Sequence, residues 1–233
     1  MCRMLGIKNF IYPKHKHIVE KFFPFAENGK VPPNSSKGHL DGWGIGWYKN
    51  GQAENYRSGK SVVEEKEKFW NVIKTISETK ILIIHFRKSA WENTNSEIHS
   101  HPFKDTKSQI IFAHNGTIFD YKNLLKYITK DLKFCLDSEV YFNLILEYYN
   151  RKNNLKEAFL DAVKIIERNS NYTSLTCIFS EGKNLYCFRK FTKLPRYYTL
   201  YTAKIKNTQV VASEPLNKQL SWKLLPQSKL EVF

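Results

Sequence analysis

MCRMLG, residues 1–6, sets a cysteine directly behind the initiator methionine. With Met1 removed, Cys2 would be the first residue and would carry a thiol and a free α-amine on one short skeleton. A nucleophile with a base attached to it is one way to build a covalent catalyst. Against that stands the common fate of a free cysteine, which is to pack as a small buried hydrophobe. Position 2 alone does not choose between them; the segments that the rest of the chain offers do.

The bulk composition narrows the field. A chain of 233 residues, 42% hydrophobic and 15% aromatic, can bury a substantial core, and residues 1–233 read as one domain. Its four cysteines, Cys2, Cys135, Cys177 and Cys187, form no CxxC pair and no close framework, which points to a reducing cytoplasm rather than a disulfide scaffold or metal finger. Residues 1–30 lack the apolar run of a signal peptide or membrane anchor, and ILII at 81–84 is only strand-length. The formal net charge of +15 invites a nucleic-acid partner. Its lysines, however, are scattered through YKNLLKYITKDLK, RKNNLKEAF and TAKIKNTQ and form no aromatic-interleaved stripe. Solvated helix and loop faces account for them, and a basic nucleic-acid-binding module stays only as an alternative.

The order of elements is mixed. ENGKVPPNSSKGHLDG (27–42) is a loop rich in Pro, Gly, Ser and Asn, which beside a site would serve as a lid; GIGWYKNGQAENYR is a hairpin turning at KNG. Phe69, Val72, Ile73 and Ile76 recur at helical spacing, so a helix is expected over 63–79. ILIIHFR and QIIFAHNG are buried strands. Helices are expected at about 120–130, from Asp137 through VYFNLILEYYN, and over NNLKEAFLDAVKIIERN. Strands follow: a hairpin around Glu181-Gly182-Lys183, then RYYTLYTAK, TQVVASE and KLEVF. Hairpins dominate, which favours an α+β layered domain over βαβ repeats.

Five of the seven histidines, His39, His85, His99, His101 and His114, fall in four short segments: GHLDGWGIGWY, IIHFRKSA, HSHPF and FAHNGTI. One reading is a metal-dependent hydrolase built from these imidazoles and a nearby Asp; no HExxH pair is present, and HSH supplies only two ligands. The other is a metal-free site for a small polar substrate. Arg87 is suited to grip a carboxylate bidentately, with a structural salt bridge as the rival role. Asn115-Gly116 offers an amide NH2 and an unshielded backbone N–H to an oxyanion, or else a plain hairpin turn. Asp137 can receive an ammonium group or simply cap its helix. Gly42 and Gly44 read as close-approach positions, and no phosphate loop follows them. Taken together, these groups compose a site for an α-amino acid, with Cys2 attacking a carbonyl.

MCRMLG, HLDGWGIGWY, HFRKSA, HPF, FAHNGTI, LDSEVYF and VVASEPL stand in an order that resembles the class II glutamine amidotransferases, above all their stand-alone members. The correspondence runs from residue 2 to about 225. The resemblance implies an N-terminal-nucleophile hydrolase: a four-layer αββα sandwich, two stacked antiparallel sheets between helical layers. It further implies Cys2 as nucleophile once Met1 is removed, its α-amine as base, Asn115 and Gly116 as oxyanion donors, Arg87 on the substrate carboxylate and Asp137 on the substrate amine. His101, Ala90 and Trp91 would line the substrate site. The substrate would be glutamine or another γ-glutamyl amide, glutathione-related and ergothioneine-pathway peptides among them, cleaved through a γ-glutamyl thioester. No metal or cofactor is implied, and a separate ammonia-accepting synthase subunit is the expected protein partner. Two positions depart from the pattern: Ala90 stands where a hydroxyl is common, and His99 where Asn is usual.

Overall fold

In the computed structural model, which describes residues 2–33, 35–132 and 135–233, the chain opens on strand β1 (Arg3–Ile11) and runs straight into helix α1 (Tyr12–Phe22). Met1, whose removal the sequence reading invokes, lies outside the described residues, as does Asn34 of the loop 27–42. A short helix, α2 (Phe25–Asn28), and the loop lead to the hairpin of β2 (Trp43–Lys49) and β3 (Gln52–Ser58). Helix α3 (Lys66–Ile76) and strand β4 (Glu78–Phe86) follow, then β5 (Phe103–Asp105) and β6 (Ile110–Asn115). After a 3-10 helix at Tyr121–Tyr127 come α4 (Asp137–Lys152) and α5 (Leu155–Asn169). The chain then runs through β7 (Thr176–Ser180), β8 (Leu185–Phe188), β9 (Tyr201–Ile205), β10 (Thr208–Ala212), β11 (Lys223–Leu224) and β12 (Leu230–Val232).

The strands form two antiparallel sheets, a seven-stranded one ordered β11-β9-β10-β1-β4-β2-β3 and a five-stranded one ordered β12-β8-β7-β6-β5. Strand alternation sorts their side chains into layers. Leu5, Ile7, Leu82, Ile84 and Phe86 pack on Val19 and Phe22 of α1 and on Phe69 and Ile73 of α3. Met4, Ile81, Ile83 and Val211 point the other way and meet Ile111, Ala113, Ile178 and Leu185 of the second sheet. Behind that sheet, Phe112, Phe179 and Phe188 bury against Tyr141 and Phe142 of α4 and Phe159 and Val163 of α5. The layers are therefore helix, sheet, sheet, helix, the α+β sandwich expected from the resemblance.

Local differences from the sequence reading have local causes. The helix expected over 63–79 is shorter, because Ser77 turns at φ 54° and β4 starts at Glu78. The helix expected at 120–130 is a 3-10 segment with Leu124 as its buried side chain, too little apolar surface for a longer α-helix. Helix α1 is an addition: Pro13 is tolerated in its first turn, and Ile18, Val19 and Phe22 form its buried edge. Among the described residues no helix is long and apolar enough to cross a membrane.

The outer layer on α5 hangs largely on aromatic contacts. Phe159 is fully buried and stacks on Phe179 with ring centroids 4.6 Å apart. Phe159→Ala is expected to cost about 3–5 kcal/mol, read as a lower midpoint with unchanged slope in urea unfolding; a loss below 1 kcal/mol, small for a deleted core ring, would mean that the layer is not held this way.

Candidate active site

The N-terminal end of β1 and the C-terminal end of β6 meet between the two sheets. There the Cys2 backbone nitrogen donates a 2.7 Å hydrogen bond to Asn115 Oδ1. Asn115 is fully buried, and its Nδ2 has no hydrogen-bond partner among the described residues. The Cys2 thiol is only 7% exposed and lies against the first turn beyond β4, where the Lys88 N–H donates to Sγ at 3.4 Å. Burial alone pushes this thiol up, but its interaction with His85, reinforced by the Lys88 N–H, outweighs burial and lowers it to about 6.

Asn115-Gly116 is not a hairpin turn. The backbone of Gly116 is not left-handed, and β6 pairs with β5 and β7. Glycine is required here by a close approach: a Cβ at 116 would sit 1.9 Å from the Ser174 carbonyl oxygen. The same holds for Gly44, whose Cβ would lie 2.3 Å from the His101 carbonyl oxygen.

Arg87 and Asp137 flank this junction. The Arg87 guanidinium is almost fully buried, donating to the Asp41 carbonyl at 3.2 Å, to Ser89 Oγ at 3.0 Å and to Thr94 Oγ1 at 2.9 Å. Among the described residues no carboxylate is bound to it directly; burial lowers its pKa, while the Cys2, Asp41 and Asp137 charges raise it. The hydroxyl missing at Ala90, which is exposed, is thus supplied from Ser89 and Thr94. Asp137 is the first residue of α4, not its cap; the cap position is Leu136. Its carboxylate turns inward, accepting from the Ile118 N–H at 2.9 Å and from the Trp91 indole at 3.1 Å, and burial raises its pKa against these bonds. Trp91, half-buried, packs edge-on against Tyr121.

Three imidazoles, those of His85, His101 and His114, lie buried near the thiol. His101 is buried, with its ring 4.4 Å from that of His85 and neither nitrogen hydrogen-bonded among the described residues; burial pushes it well below the ordinary histidine range. His114 binds Ser138 Oγ and the Ser174 carbonyl, and burial lowers it to about 4. His39 lies elsewhere, against the fully buried Arg3, whose Nε also pairs with Glu214 at 3.2 Å. His99 is half-buried in the loop before β5. Among the described residues no group of three His, Cys, Asp or Glu is disposed to hold a metal ion, so the histidine segments converge without forming a ligand set.

The structure therefore brings Cys2, Asn115, Gly116, Arg87, Asp137 and Trp91 to one junction, with Ala90 on its outer loop and His101 behind it. Sequence reasoning passed over Asp41, Ser89 and Thr94, which hold Arg87 and its loop. It also passed over Tyr198, buried, bound through its hydroxyl to Thr173 Oγ1 at 2.8 Å and near enough to Cys2 and Asp137 to feel their charge. RYYTLY signals only a strand, and no motif marks that tyrosine.

Comparison with known proteins bears on this arrangement. The family model for class-II glutamine amidotransferases matches residues 1–200. An uncharacterized protein of Methanocaldococcus jannaschii is 26% identical over 266 aligned residues, which cover 100% of this chain and 69% of that protein. The isomerizing glutamine–fructose-6-phosphate aminotransferase of Sulfolobus acidocaldarius is 28% identical over 198 residues, 81% of this chain but 30% of that longer protein. A solved structure of a glutamine aminotransferase class-II domain protein from Silicibacter pomeroyi matches with a TM-score of 0.65 at 16% identity, covering 99% of this chain and 94% of the other. The glutamine phosphoribosylpyrophosphate amidotransferase of B. subtilis matches with a TM-score of 0.66 at 15% identity, covering 100% of this chain and 49% of the other. Both structural likenesses are likenesses of fold.

The lowered thiol has a consequence for stability. An unfolded cysteine titrates near ~8.5, whereas folded Cys2 titrates at about 6. Between those values the unfolded chain binds more protons, so stability rises with pH through the window and the contribution is lost as pH falls through about 6. Its full size is about 3 kcal/mol. Unfolding free energies at pH 5.5 and 8.5 are expected to diverge by that order between the native chain and Cys2→Ser; parallel pH profiles would show that the folded thiol is not lowered.

Proposed function

The chain belongs to the class-II glutamine amidotransferases, and on that premise we propose that it cleaves the γ-amide of glutamine or of a related γ-glutamyl amide, with Cys2 as the nucleophile. The observation that carries this reading is the state of Asn115. Its Oδ1 is committed to the Cys2 nitrogen, which leaves the buried Nδ2 without a hydrogen-bond partner among the described residues. An unpaired buried amide donor is costly unless something arrives to accept from it. The oxyanion formed by thiol attack on an amide carbonyl is such an acceptor.

The remaining groups take roles that fit an amino-acid substrate. Arg87 binds the α-carboxylate, oriented by Asp41, Ser89 and Thr94. Asp137 receives the α-ammonium, and Ala90, Trp91 and His101 border the same space. Sγ attacks the γ-carbonyl carbon, and the oxyanion is held by Asn115 Nδ2 and the Gly116 N–H. Collapse expels ammonia or an amine and leaves a γ-glutamyl thioester, which water resolves to glutamate and free thiol. After Met1 removal the Cys2 nitrogen is an α-amine, titrating near ~8 and able to carry a proton at neutral pH. The four cysteines are unpaired in the structure, and a reducing cytoplasm would keep Cys2 in the thiol form that the reaction needs. Transfer of the ammonia to a separate synthase subunit is a second outcome of the same chemistry.

The test is intact-protein mass before and after exposure to a glutamine-like diazo-ketone, alongside glutamate release from glutamine and γ-glutamyl amides. A mass lacking one methionine and a single adduct on Cys2 are expected. Cys2→Ala should release no glutamate while still unfolding in one cooperative transition, and Arg87→Ala should raise KM about 10- to 100-fold with a smaller change in kcat. Undiminished turnover by Cys2→Ala would exclude the mechanism.

A further inference from the structure

The segment that carries Gly116 is braced from behind by two side chains that the proposed reaction does not use. Beyond β6 the pairing with β7 slips. Asn115 is in register with Thr176, and the next pairing joins Ile118 to Tyr172. Residues 116 and 117 on one side therefore face residues 173, 174 and 175 on the other, one residue too many for a regular ladder. This is a β-bulge, a device that turns backbone groups off their ladder directions. Here the Ser174 carbonyl accepts from His114 Nε2 at 2.9 Å and lies against Gly116, where it leaves no room for a Cβ.

The chain bends at Gly116, and a glycine at a bend does not hold its own peptide in one orientation. Its neighbours must. On the near side Asn115 is fixed by the ladder and by the Cys2 nitrogen. On the far side the Thr117 N–H, opposite the bulge, is taken up by a side chain: it donates to Thr173 Oγ1 at 3.0 Å. The Thr173 N–H returns a 2.8 Å bond to the Thr117 carbonyl, so one residue grips both polar groups of that peptide neighbour. Thr173 Oγ1 is itself held. Tyr198, buried in the segment before β9, donates its hydroxyl to that oxygen at 2.8 Å, and the Tyr198 carbonyl accepts from Arg189 Nε at 3.2 Å. With two donors on its lone pairs, the Thr173 hydroxyl has little freedom to turn.

We propose that Thr173 and Tyr198 are positioning residues for the oxyanion donor: through Thr117 they hold the Gly116 N–H at the angle from which it serves the same oxygen as Asn115 Nδ2. The role in turnover rests on the amidase reading, whereas the brace itself is a property of the free protein. Neither side chain bonds to substrate in this scheme. A tetrahedral adduct forms twice per turnover, once as the thiol adds to the γ-amide and again as water adds to the thioester. Both adducts carry their negative charge on the same oxygen, so a loosened Gly116 slows both halves. Binding of the amino-acid end, which falls to Arg87 and Asp137, is left alone. The signature is a loss in kcat without a loss in binding.

The experiment compares three variants with the native full chain. Thr173→Val keeps the shape and removes the acceptor, Thr173→Ser restores it, and Tyr198→Phe removes only the phenol oxygen. Glutamate release from L-glutamine and from γ-glutamyl-p-nitroanilide gives kcat and KM. Alkylation of Cys2 by iodoacetamide, which forms no oxyanion, reports on the thiol separately. Thr173→Val is expected to lose about 10- to 100-fold in kcat with KM within about 2-fold, less than the outright removal of an oxyanion donor. Tyr198→Phe should lose about 3- to 10-fold and Thr173→Ser should stay within about 3-fold of native, with the alkylation rate held in all three. An undiminished kcat in Thr173→Val overturns the proposal, and so does a parallel fall in alkylation, which marks a general loss of the site. If Thr173→Val does not fold, an undiminished kcat in Tyr198→Phe overturns it instead. The two readings fail separately. Cleavage by the native chain with unmoved variants sinks the positioning role alone. A native chain that cleaves neither substrate sinks the amidase, and amide hydrogen exchange of the free protein then decides the brace: the Thr117 N–H should exchange about 10-fold faster in Thr173→Val than in the native chain or Thr173→Ser, and equal rates would overturn it.

Discussion

The bond from the Cys2 nitrogen to Asn115 Oδ1 is the constraint on which the rest of the site depends. It joins the first strand of one sheet to the last residue of a strand in the other, 113 residues apart in the chain. The inter-sheet layer of Met4, Ile83, Ile111 and Ile178 sets the spacing at which that bond closes. In a close-packed interior this spacing is not freely adjustable, so the distance between the Cys2 thiol and the Asn115 amide is inherited from core volume. Gly116 contributes by allowing the chain beyond Asn115 to pass against the Ser174 carbonyl.

A second theme is that charge is buried here before any substrate arrives. Arg87 and Asp137 are each about 4% exposed, and both would be more stable in water. The fold offsets this cost with fixed dipoles: hydroxyls and a carbonyl on Arg87, a backbone N–H and an indole on Asp137. Among the described residues neither group is satisfied by an opposite charge at hydrogen-bonding distance. Such an arrangement costs stability in the empty protein, and in the proposed reaction it removes the reorganisation that flexible surface charges would need. Trp91 ties the two halves, since it sits in the loop that Arg87 organises while donating to Asp137.

How much of this was legible from residues follows from where the information lies. Asn115, Arg87 and Asp137 each sit at the end of an element whose pattern is plain in the sequence, so their type and position signalled chemistry. The capping role for Asp137 was a reasonable reading of DSE, and only the inward turn of its carboxylate toward Ile118 decides otherwise. His85, His101 and His114 did converge, but a ligand set and a packed pair of rings look the same as a string of letters. What separates them is His114 offering its carbonyl rather than its ring to His85, a backbone fact with no sequence signature. Helix α1 escaped because its buried edge is short and its first turn contains a proline. The placing of β1 between β4 and β10 depends on long-range pairings, Arg3 with Phe86 and Leu5 with Ala212, which local periodicity does not encode.

The loop that follows β4 divides its labour in a way that bears on descent. Ser89 and Thr94 face inward to Arg87, while Ala90, Glu92, Asn93 and Asn95 are exposed and border an open cleft of about 560 Å³ beside Asp41. Mutations at the outward positions disturb no buried hydrogen bond of the guanidinium, so drift can sample them at small cost to folding. The inward ones are locked by the chemistry they hold. Lineages sharing this scaffold can therefore diversify the rim of the cleft while the hydrogen bonds of Arg87 stay fixed, a separation of innovation from inheritance written into a single loop.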